Sequence, residues 1–420
     1  MNAELDESAT KDRHLNSHRV ARSEQLKSFV RSIAAQLEAY EASLCLRVRA
    51  RRLDDQRVFE QQVECLVCEA LLCHLAQPGG WVAVTRSKQI LGHANRYHSP
   101  VMSRTLPDVM DRLASPDMGL LEVGMGMVNP FANVNQRTIF RATDRLIEQA
   151  AELNLTHADF AHADAEEVII LKAEKQSGKS ARIPYADDEQ TSKLRSEVQT
   201  INAWLAGADI ELARDFSGVH TDDRKMTRSF NNGTFRHGGR LSGGFWQGIT
   251  KAQRKSVLID GQDTVTLDYK QMGPSIHYGL AGIPFDGDAY AVPGYEHHRS
   301  GIKQVFGAMT HSAGRFNRLD DLDPCSLPAG VQLSKVCRDI EQYHAPIADR
   351  FYCRSGMEAM RTESDIIVGV MLELRELGIV GLPIHDAVLV REDQADQVEE
   401  VMQGLFAQYT GNTVAVSREC

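Results

Sequence analysis

The chain has 420 residues, of which 42% are hydrophobic and 25% are charged, an ordinary composition for a globular protein. This composition excludes a wholly disordered chain, a collagen-like chain and a disulfide-stapled miniprotein, and the length predicts about two or three domains. The 47 Lys and Arg residues against 57 Asp and Glu residues give a net charge of −10, which argues against a generally basic nucleic-acid coat but leaves a local basic groove open.

Neither a targeting segment nor a membrane span is predicted. Residues 1–20 are too charged for a signal peptide, and no stretch approaches about 18 uninterrupted apolar residues. Cys65, Cys68 and Cys73, with His74, resemble metal ligands at first, but they lie in an apolar helical run, so we predict core packing. We expect a cytoplasmic protein with no membrane partner.

Residues 1–78 are predicted to be mostly helical. Apolar residues recur with helical spacing in two segments, which indicates two amphipathic helices. The basic run at 46–52 between them is typical of a solvated face. The recurring positions are Leu26, Phe29, Ile33 and Leu37 in the first segment and Phe59, Val63, Val67 and Leu71 in the second.

Residues 79–160 have the order helix, helix and β-hairpin, which is similar to a winged-helix module. The second helix would then enter a DNA major groove, with Arg104 or Arg112 reaching a phosphate. A small helical domain with a hairpin fits the same pattern equally well. The predicted helices lie at 87–95 and within 99–115, and the predicted strands lie within 119–128 and 136–148, on either side of a tip at 129–135.

Residues 161–228 form a predicted α/β region that either connects the regions on its two sides or acts as a thumb. A strand-like run at 166–172 precedes a helical pattern at 196–212 that could pack on a neighbour or grip a duplex. Neither segment carries chemistry by itself.

The segment 224–255 is a local basic block with no Asp or Glu. Glycines and aromatic residues are interleaved with its cations, and such a block in an acidic chain favours phosphate binding, with a solvated basic loop as the alternative. Within it we predict nucleic-acid contacts for Arg236, Arg240, Gln247 and Arg254, in addition to Arg104. The eight cations are Arg224, Lys225, Arg228, Arg236, Arg240, Lys251, Arg254 and Lys255.

Two aspartates stand in apolar, strand-like runs further along. Asp268 ends an alternating run that begins at 264, and Asp386 follows His385 in a tight turn within 380–393. A buried carboxylate is costly unless it is paired or metal-bound. Each aspartate alone is more often a cap or half of an ion pair, but two together are what a two-metal phosphoryl-transfer site needs.

A cationic helix is predicted between these aspartates. Arg299 and Lys303 are four residues apart and share a face, and His311 lies near the same face just over two turns later. Such a stripe suits a nucleotide triphosphate, and a surface helix is the alternative.

The order of these segments resembles the palm and fingers of family A polymerases, the group of bacterial DNA polymerase I and the single-subunit phage-type RNA polymerases. The resemblance covers roughly residues 230–415 and includes four short motifs in the family's order. They are GRLSGGFWQ at 239–247, LDYKQMGPSIHYGLAG at 267–282, the Arg299/Lys303/His311 helix, and IHDAVLV at 384–390 after the helical run 361–374.

The resemblance implies a role for each matching residue. Asp268 and Asp386 would hold two Mg²⁺ ions, with Mn²⁺ as a substitute, and His385 would lie near the primer terminus. The remaining roles would fall on Arg240 for the minor groove of the primer–template duplex, Arg299 and Lys303 for the triphosphate, and His311 for the base.

Three positions depart from the family's pattern. Gly273 stands where the DNA polymerases usually carry a Glu that crowds the 2′-position of the sugar, and the phage-type RNA polymerases also have Gly there. His311 and Ser312 replace a usual Tyr and Gly, and Ala387 replaces a Glu found in many of the DNA enzymes. The missing side chain at Gly273 predicts that ribonucleotides are accepted.

The predicted fold class is therefore α+β, with a helical N-terminal part followed by a minimal right-hand palm with reduced fingers at 229–420. The predicted function is template-directed nucleotidyl transfer from nucleoside triphosphates on a nucleic-acid template, DNA in preference to RNA, as a primase or small RNA polymerase. A DNA polymerase with relaxed sugar selection and no proofreading is one alternative. A winged-helix replication initiator with an inactive palm is the other.

Overall fold

The computed structural model describes residues 13–92, 96–126, 128–129, 134–135, 137–163, 166–175, 180–214, 216, 219, 221–320 and 322–419. The chain divides into two compact units, unit 1 with Met1–Glu167 and Arg214–Asp223, and unit 2 with Val168–Ala213 and Arg224–Cys420. Both units combine helices with sheets, which confirms the α+β prediction. Unit 2 contains the whole of the predicted segment 229–420.

Unit 1 is built on two long helices and a four-stranded sheet. Its helices are α1 (Glu24–Ser43), α2 (Leu53–Ala76), α3 (Lys88–Leu91), α4 (Leu106–Leu113) and α5 (Asp144–Ala150). Its strands are β1 (Arg13–His14), β2 (Arg19–Ala21), β3 (Val82–Val84), β4 (Leu121–Gly124), β5 (Val128–Asn129), β6 (Val134–Asn135), β7 (Thr138–Ala142) and β8 (Phe160–His162).

The two long helices of unit 1 confirm the sequence prediction. The Ser23 side chain accepts a hydrogen bond from the Leu26 amide and so caps α1. Cys65, Cys68 and Cys73 on α2 are buried, as predicted, and burial raises the pKa of the Cys65 and Cys68 thiols. These cysteines therefore belong to the core.

The sheet of unit 1 has the order β1-β3-β7-β4, and β7 pairs antiparallel with both β3 and β4. The prediction of one strand within 136–148 is wrong beyond Ala142, because the Thr143 side chain caps α5 by accepting from the Leu146 amide. Residues 93–95 and 130–133, which belong to the predicted first helix and tip, lie outside the described residues.

Unit 2 contains a four-stranded antiparallel sheet with the order β15-β16-β14-β17, and two smaller sheets with the orders β12-β11-β9 and β10-β13. Its helices are α6 (Glu189–Gly207), α7 (Phe245–Gly248), α8 (Lys251–Arg254), α9 (Met272–Leu280), α10 (Arg299–His311), α11 (Leu333–Tyr343), α12 (Ser355–Glu376) and α13 (Ala395–Thr410). Its strands are β9 (Ile169–Leu171), β10 (Ile210–Leu212), β11 (Thr227–Phe230), β12 (Gly238–Ser242), β13 (Val257–Ile259), β14 (Thr264–Tyr269), β15 (Gly381–Ile384), β16 (Ala387–Arg391) and β17 (Val416–Glu419).

Helix α6 differs from the predicted helix at 196–212. It begins earlier because Asp188 and Thr191 form a reciprocal capping box, and it ends at Gly207, so that residues 210–212 pair with β13 as strand β10. The apolar spacing of this segment continues past the true end of the helix, which is why the pattern alone placed the boundary too late.

A separate apolar cluster joins α9, α10 and α11. Phe306 and Phe351 pack edge to face with their ring centroids 5.4 Å apart. The buried His344 donates from Nε2 to the Ala289 carbonyl at 2.8 Å, and its Nδ1 accepts from the Tyr278 hydroxyl at 3.0 Å. This cluster fixes α10 relative to α9, which matters because both helices carry predicted site residues.

Candidate active site

Asp268 owes its position to the alternation of β14. Val265, Leu267 and Tyr269 are buried, and the Tyr269 hydroxyl donates to the Met402 carbonyl on α13 at 2.6 Å. Because successive strand residues point to opposite faces, Asp268 lies on the face away from α13. A half-buried carboxylate is thereby fixed on a rigid strand.

Asp386 lies in the tight turn between β15 and β16, as predicted. His385, with a φ of 59°, takes the left-handed conformation that closes this turn. Ala387 pairs directly with Asp268 across β14 and β16, so Asp386 is one residue away from the position opposite Asp268. The register of the sheet therefore brings Asp386, in the turn before β16, close to Asp268 on the adjacent strand β14.

Burial, together with the negative charges of Asp386 and Glu419, raises the pKa of Asp268 from its ordinary value of 3.8 to about 6. Lys303 and Lys251 oppose the shift without cancelling it. The two aspartates thus hold negative charge at a place where the protein alone does not neutralise it. A cation would be stabilised there.

A cavity of about 510 Å³ opens on one side of the aspartate pair. Seven of the predicted site residues line it, from five separate parts of unit 2. They are Arg240 from β12, Asp268 from β14, Gly273 from α9, Arg299, Lys303 and His311 from α10, and Asp386 from the turn before β16.

A second cavity of about 200 Å³ also has both aspartates in its wall. Lys251, Arg254 and Lys255 line it together with His385. The aspartate pair therefore lies between two openings, and each opening carries cationic side chains. This arrangement suits two phosphorylated groups that meet at the carboxylates.

Two cations that line the larger cavity, Arg299 and Lys303, differ in their partners. Arg299 donates to both oxygens of Asp288, from Nε at 2.5 Å and from Nη2 at 3.0 Å, and its guanidinium lies 5.0 Å from the centre of the Tyr290 ring. Lys303 is exposed and forms no ion pair with any residue in the described part of the chain. Lys303 is thus the more available of the two for an anion.

Arg240 is paired with a carboxylate that the sequence analysis did not single out. It donates from Nε and Nη2 to the two oxygens of Glu363 on α12, at 2.5 and 2.9 Å. Burial raises the pKa of Glu363, and the Arg240 charge counteracts this shift. The sequence contained one signal for such a pair, because Glu363 lies in a predicted apolar helix and a buried Glu needs a partner.

Three residues that were predicted to contact nucleic acid do not line either cavity. The Gln247 amide donates to the Leu241 and Pro383 carbonyls at 3.2 and 2.8 Å and accepts from the Gly243 amide, so it ties the loop after β12 to β15. Arg236 is exposed and lines neither cavity, and Arg104 belongs to unit 1.

Two early cations of the predicted phosphate-binding segment 224–255 have partners within the protein. Arg228 is fully buried and donates to the Gly239 carbonyl and to Asp365, each at 2.8 Å. Arg224 donates to carbonyl groups at the end of α6. These guanidinium groups are satisfied by acceptors within the protein, whereas Arg240, Lys251, Arg254 and Lys255 line one of the two cavities.

The residues present fit Mg²⁺ held partly by a substrate. No group of three His, Cys, Asp or Glu side chains poised for a metal occurs among the residues that the structure describes. Mg²⁺ is commonly bound by one or two carboxylates completed by phosphate oxygens and water, and not by an all-protein cage. Asp268 and Asp386 supply these two carboxylates.

The raised pKa of Asp268 predicts how stability depends on pH. The folded protein retains a proton on Asp268 between about pH 4 and pH 6 that the unfolded chain releases, so this residue lowers the free energy of unfolding as the pH rises through that window. After allowance for solvent screening we expect an effect of about 1 kcal/mol.

Thermal melting in EDTA measures this effect as the difference in stability between the wild type and Asp268→Asn at each pH. The variant should gain relative stability between pH 4.5 and pH 7.5, because the amide has no charge to disfavour. A difference that stays constant over this range would contradict the predicted coupling.

No protein-family model matches the chain, and neither does any curated protein sequence. Among solved structures, the chain is similar to the POL domain of Pol1 from M. smegmatis in complex with DNA primer-template and dNTP, with 15% identity over 55% of this chain and a TM-score of 0.33. The chain spans about half of that structure's chain, with 50% of it covered. A likeness this distant does not assign the chain to a family.

In the described residues, no helix combines the length and the apolar character needed to cross a membrane.

Proposed function

We propose that unit 2 is a template-directed nucleotidyltransferase that extends a nucleic-acid strand from nucleoside triphosphates. The observation that carries the proposal is the aspartate pair, with Asp268 on β14 and Asp386 in the turn before the adjacent strand β16, between two cavities lined by cations. Strand extension requires such a meeting point, because a primer end and a triphosphate must approach the same carboxylates from different sides. The proposed polymerase domain is residues 229–420, with a palm on the sheet β15-β16-β14-β17 and reduced fingers around α10 and α11.

The larger cavity is the proposed triphosphate site. Asp268 and Asp386 would hold two Mg²⁺ ions, or Mn²⁺, which when bound lower the pKa of the attacking 3′-hydroxyl and neutralise the phosphates. Lys303 is placed to bind the triphosphate directly, whereas Arg299 would exchange Asp288 for a phosphate. His311 donates from Nδ1 to the Gly307 carbonyl at 2.9 Å, which orients its ring for the base or sugar.

The smaller cavity is the proposed path of the strand that is extended. Lys251, Arg254 and Lys255 would neutralise its backbone phosphates, and His385 would lie near its terminus. Arg254 also donates to the Ile249 carbonyl at 3.1 Å, which limits the positions of its guanidinium. Arg240, held by Glu363 on the other side of the aspartates, would contact the minor groove of the duplex.

We further propose that the nucleotides are ribonucleotides, so that the protein acts as a primase or small RNA polymerase. A Cβ atom built on Gly273 meets no heavy atom within 4 Å, which leaves space for a 2′-hydroxyl. A DNA polymerase with relaxed sugar selection uses the same space and is the alternative.

Unit 1 is proposed to bind duplex DNA as a winged helix. The element order α2, β3, α3, α4, β4, β7 and the strand order β3-β7-β4 support this assignment. Arg104 is exposed just before α4, at the end of a recognition helix that would reach the groove. Arg112 is less available, because it donates to the buried Glu41, as Arg51 also does.

Incorporation on a defined single-stranded template tests the proposed function. We expect Mg²⁺-dependent products complementary to the template from ribonucleoside triphosphates, and the reactions with and without a primer show whether synthesis starts de novo. Template-independent products would contradict the proposal. So would the absence of product with every template, metal and nucleotide from a protein that still binds DNA, a result that would favour the initiator with an inactive palm.

A further inference from the structure

His277 is a buried polar side chain whose ring has no hydrogen-bond partner in the described part of the chain. It lies on α9 and is only 3% exposed. Its closest aromatic neighbour is Phe306, with ring centroids 6.5 Å apart. Buried polar groups are almost always hydrogen-bonded, so an exception requires an explanation.

The ring of His277 borders the larger cavity of the candidate active site. The ring nitrogens of His277 are not among the fully sealed polar atoms that lack a partner in the described residues, and His277 belongs to the lining of this cavity. A ligand in this cavity can therefore supply the hydrogen bond that the protein does not.

Gly273 and His277 are one helical turn apart on the same face of α9. A helical side chain leans toward the N-terminus of its helix, so the His277 ring leans toward the turn that contains Gly273. Beside Gly273 the space is open, as no heavy atom lies within 4 Å of a Cβ built there. Gly273 and His277 also line the same cavity, so the imidazole borders the cavity that contains the space proposed for the sugar.

The charge state of His277 suits an uncharged ligand group. Burial, together with the nearby charges of Arg350 and His311, lowers the pKa of His277 from 6.5 to about 4. At neutral pH the ring thus has one N–H donor and one acceptor nitrogen. A sugar hydroxyl also donates and accepts, whereas a phosphate would find a better partner in Lys303.

We propose that His277 is a specificity-determining residue that hydrogen-bonds the 2′-hydroxyl of the nucleotide bound beside Gly273. This inference rests on the proposed nucleotidyl transfer and deepens it, since Gly273 only leaves room for the hydroxyl while His277 selects for it. A purely structural His277, packed against Phe306, is the opposing interpretation.

The test compares kcat and KM for ribo- and deoxyribonucleoside triphosphates in His277→Phe, which keeps the ring but removes both nitrogens. We expect kcat/KM for ribonucleotides to fall about 10-fold, because the hydroxyl is left buried without a partner, while deoxyribonucleotides change less than about 2-fold. His277→Gln, which restores a donor and an acceptor, should recover part of the ribonucleotide preference.

His297→Phe is the matched control, because His297 is exposed and lines neither cavity. It should leave the ratio of the two kcat/KM values unchanged. If melting shows that His277→Phe does not fold, His277→Leu carries the same comparison, since it also lacks both nitrogens.

An equal fall for both sugars in the apolar variants would overturn the inference and leave the proposed function standing. A wild-type protein that incorporates neither kind of nucleotide would overturn the proposed function, and the inference with it. The two failures are therefore distinguished by the wild-type reaction alone.

Discussion

We expect Asp268→Asn to lower the rate of nucleotide incorporation by a factor on the order of 1,000, and Asp386→Asn to do the same. Each change removes one of the two carboxylates that would hold the metal ions, and a loss of this size corresponds to about 4 kcal/mol of transition-state stabilisation. Single-turnover incorporation on a primed template at saturating Mg²⁺ measures the effect.

Asp263→Asn is the control for these variants. Asp263 is exposed and directly precedes β14. Its replacement makes the same Asp-to-Asn change next to the same strand, but Asp263 lines neither of the two cavities. It should retain the wild-type rate. Asp268→Asn should also retain template binding and should melt no lower than the wild type at pH 7.5, because it removes a carboxylate whose charge is disfavoured by burial.

Loss of synthesis with intact template binding would separate catalysis from recognition. Synthesis at an undiminished rate by both variants would show that the aspartate pair is not the reaction centre. The proposal would then lose the observation that carries it, the aspartate pair between two cation-lined cavities.

The positions of the two aspartates, one on a strand and one in a turn, follow from the sequence because local periodicity determines their surroundings. Alternation along β14 fixes the face on which Asp268 lies, and apolar flanks on both sides of Asp386 predict a hairpin. The spacing of Arg299 and Lys303 likewise predicts one face of α10, and both residues line the same cavity. In these cases neighbours in sequence are enough to define the geometry.

Contacts between distant segments could not be predicted in this way. Arg240 and Glu363 are 123 residues apart, and only the packing of α12 along β12 brings them together. The same packing buries Arg228, whose sequence context does not differ from that of the exposed cations in the block 224–255. A basic segment therefore predicts positive charge but not which of its cations are available to a ligand.

His277 shows a related limit. Its spacing from Gly273 is visible in the sequence, but a single His in an apolar helix predicts nothing about hydrogen bonding. The absence of a partner among the described residues and the adjoining cavity are properties of the folded chain. The functional hypothesis for His277 therefore required the three-dimensional arrangement.

Gly273→Glu is expected to lower kcat/KM for ribonucleotides on the order of 100-fold, or about 2.7 kcal/mol, while deoxyribonucleotides are retained within about 3-fold. A Cβ built at Gly273 meets no side-chain atom and no atom outside its own helix within 4 Å, so the new side chain starts without a clash and its carboxylate would extend toward the proposed position of the 2′-hydroxyl. Steady-state kinetics with both kinds of triphosphate on one primed template measure this change.

Gly404→Glu is the matched control, because Gly404 also lies in a helix, is exposed and has open space at its Cβ position. Both substitutions replace a helical glycine by a good helix former and add one negative charge. Only the change at Gly273 should alter the sugar preference, so an effect of Gly404→Glu would point to charge or stability instead.

The effects of Gly273→Glu on kcat/KM for ribonucleotides and for deoxyribonucleotides together show whether the space beside Gly273 admits the 2′-hydroxyl. A selective loss of ribonucleotide use would show that the missing side chain admits the 2′-hydroxyl, and it would favour an RNA-synthesising enzyme over the alternative of a relaxed DNA polymerase. An equal loss for both sugars would mean that the carboxylate disturbs the aspartate pair nearby. Unchanged ribonucleotide use would refute the sugar-gate argument, because the substituted position would then not face the sugar.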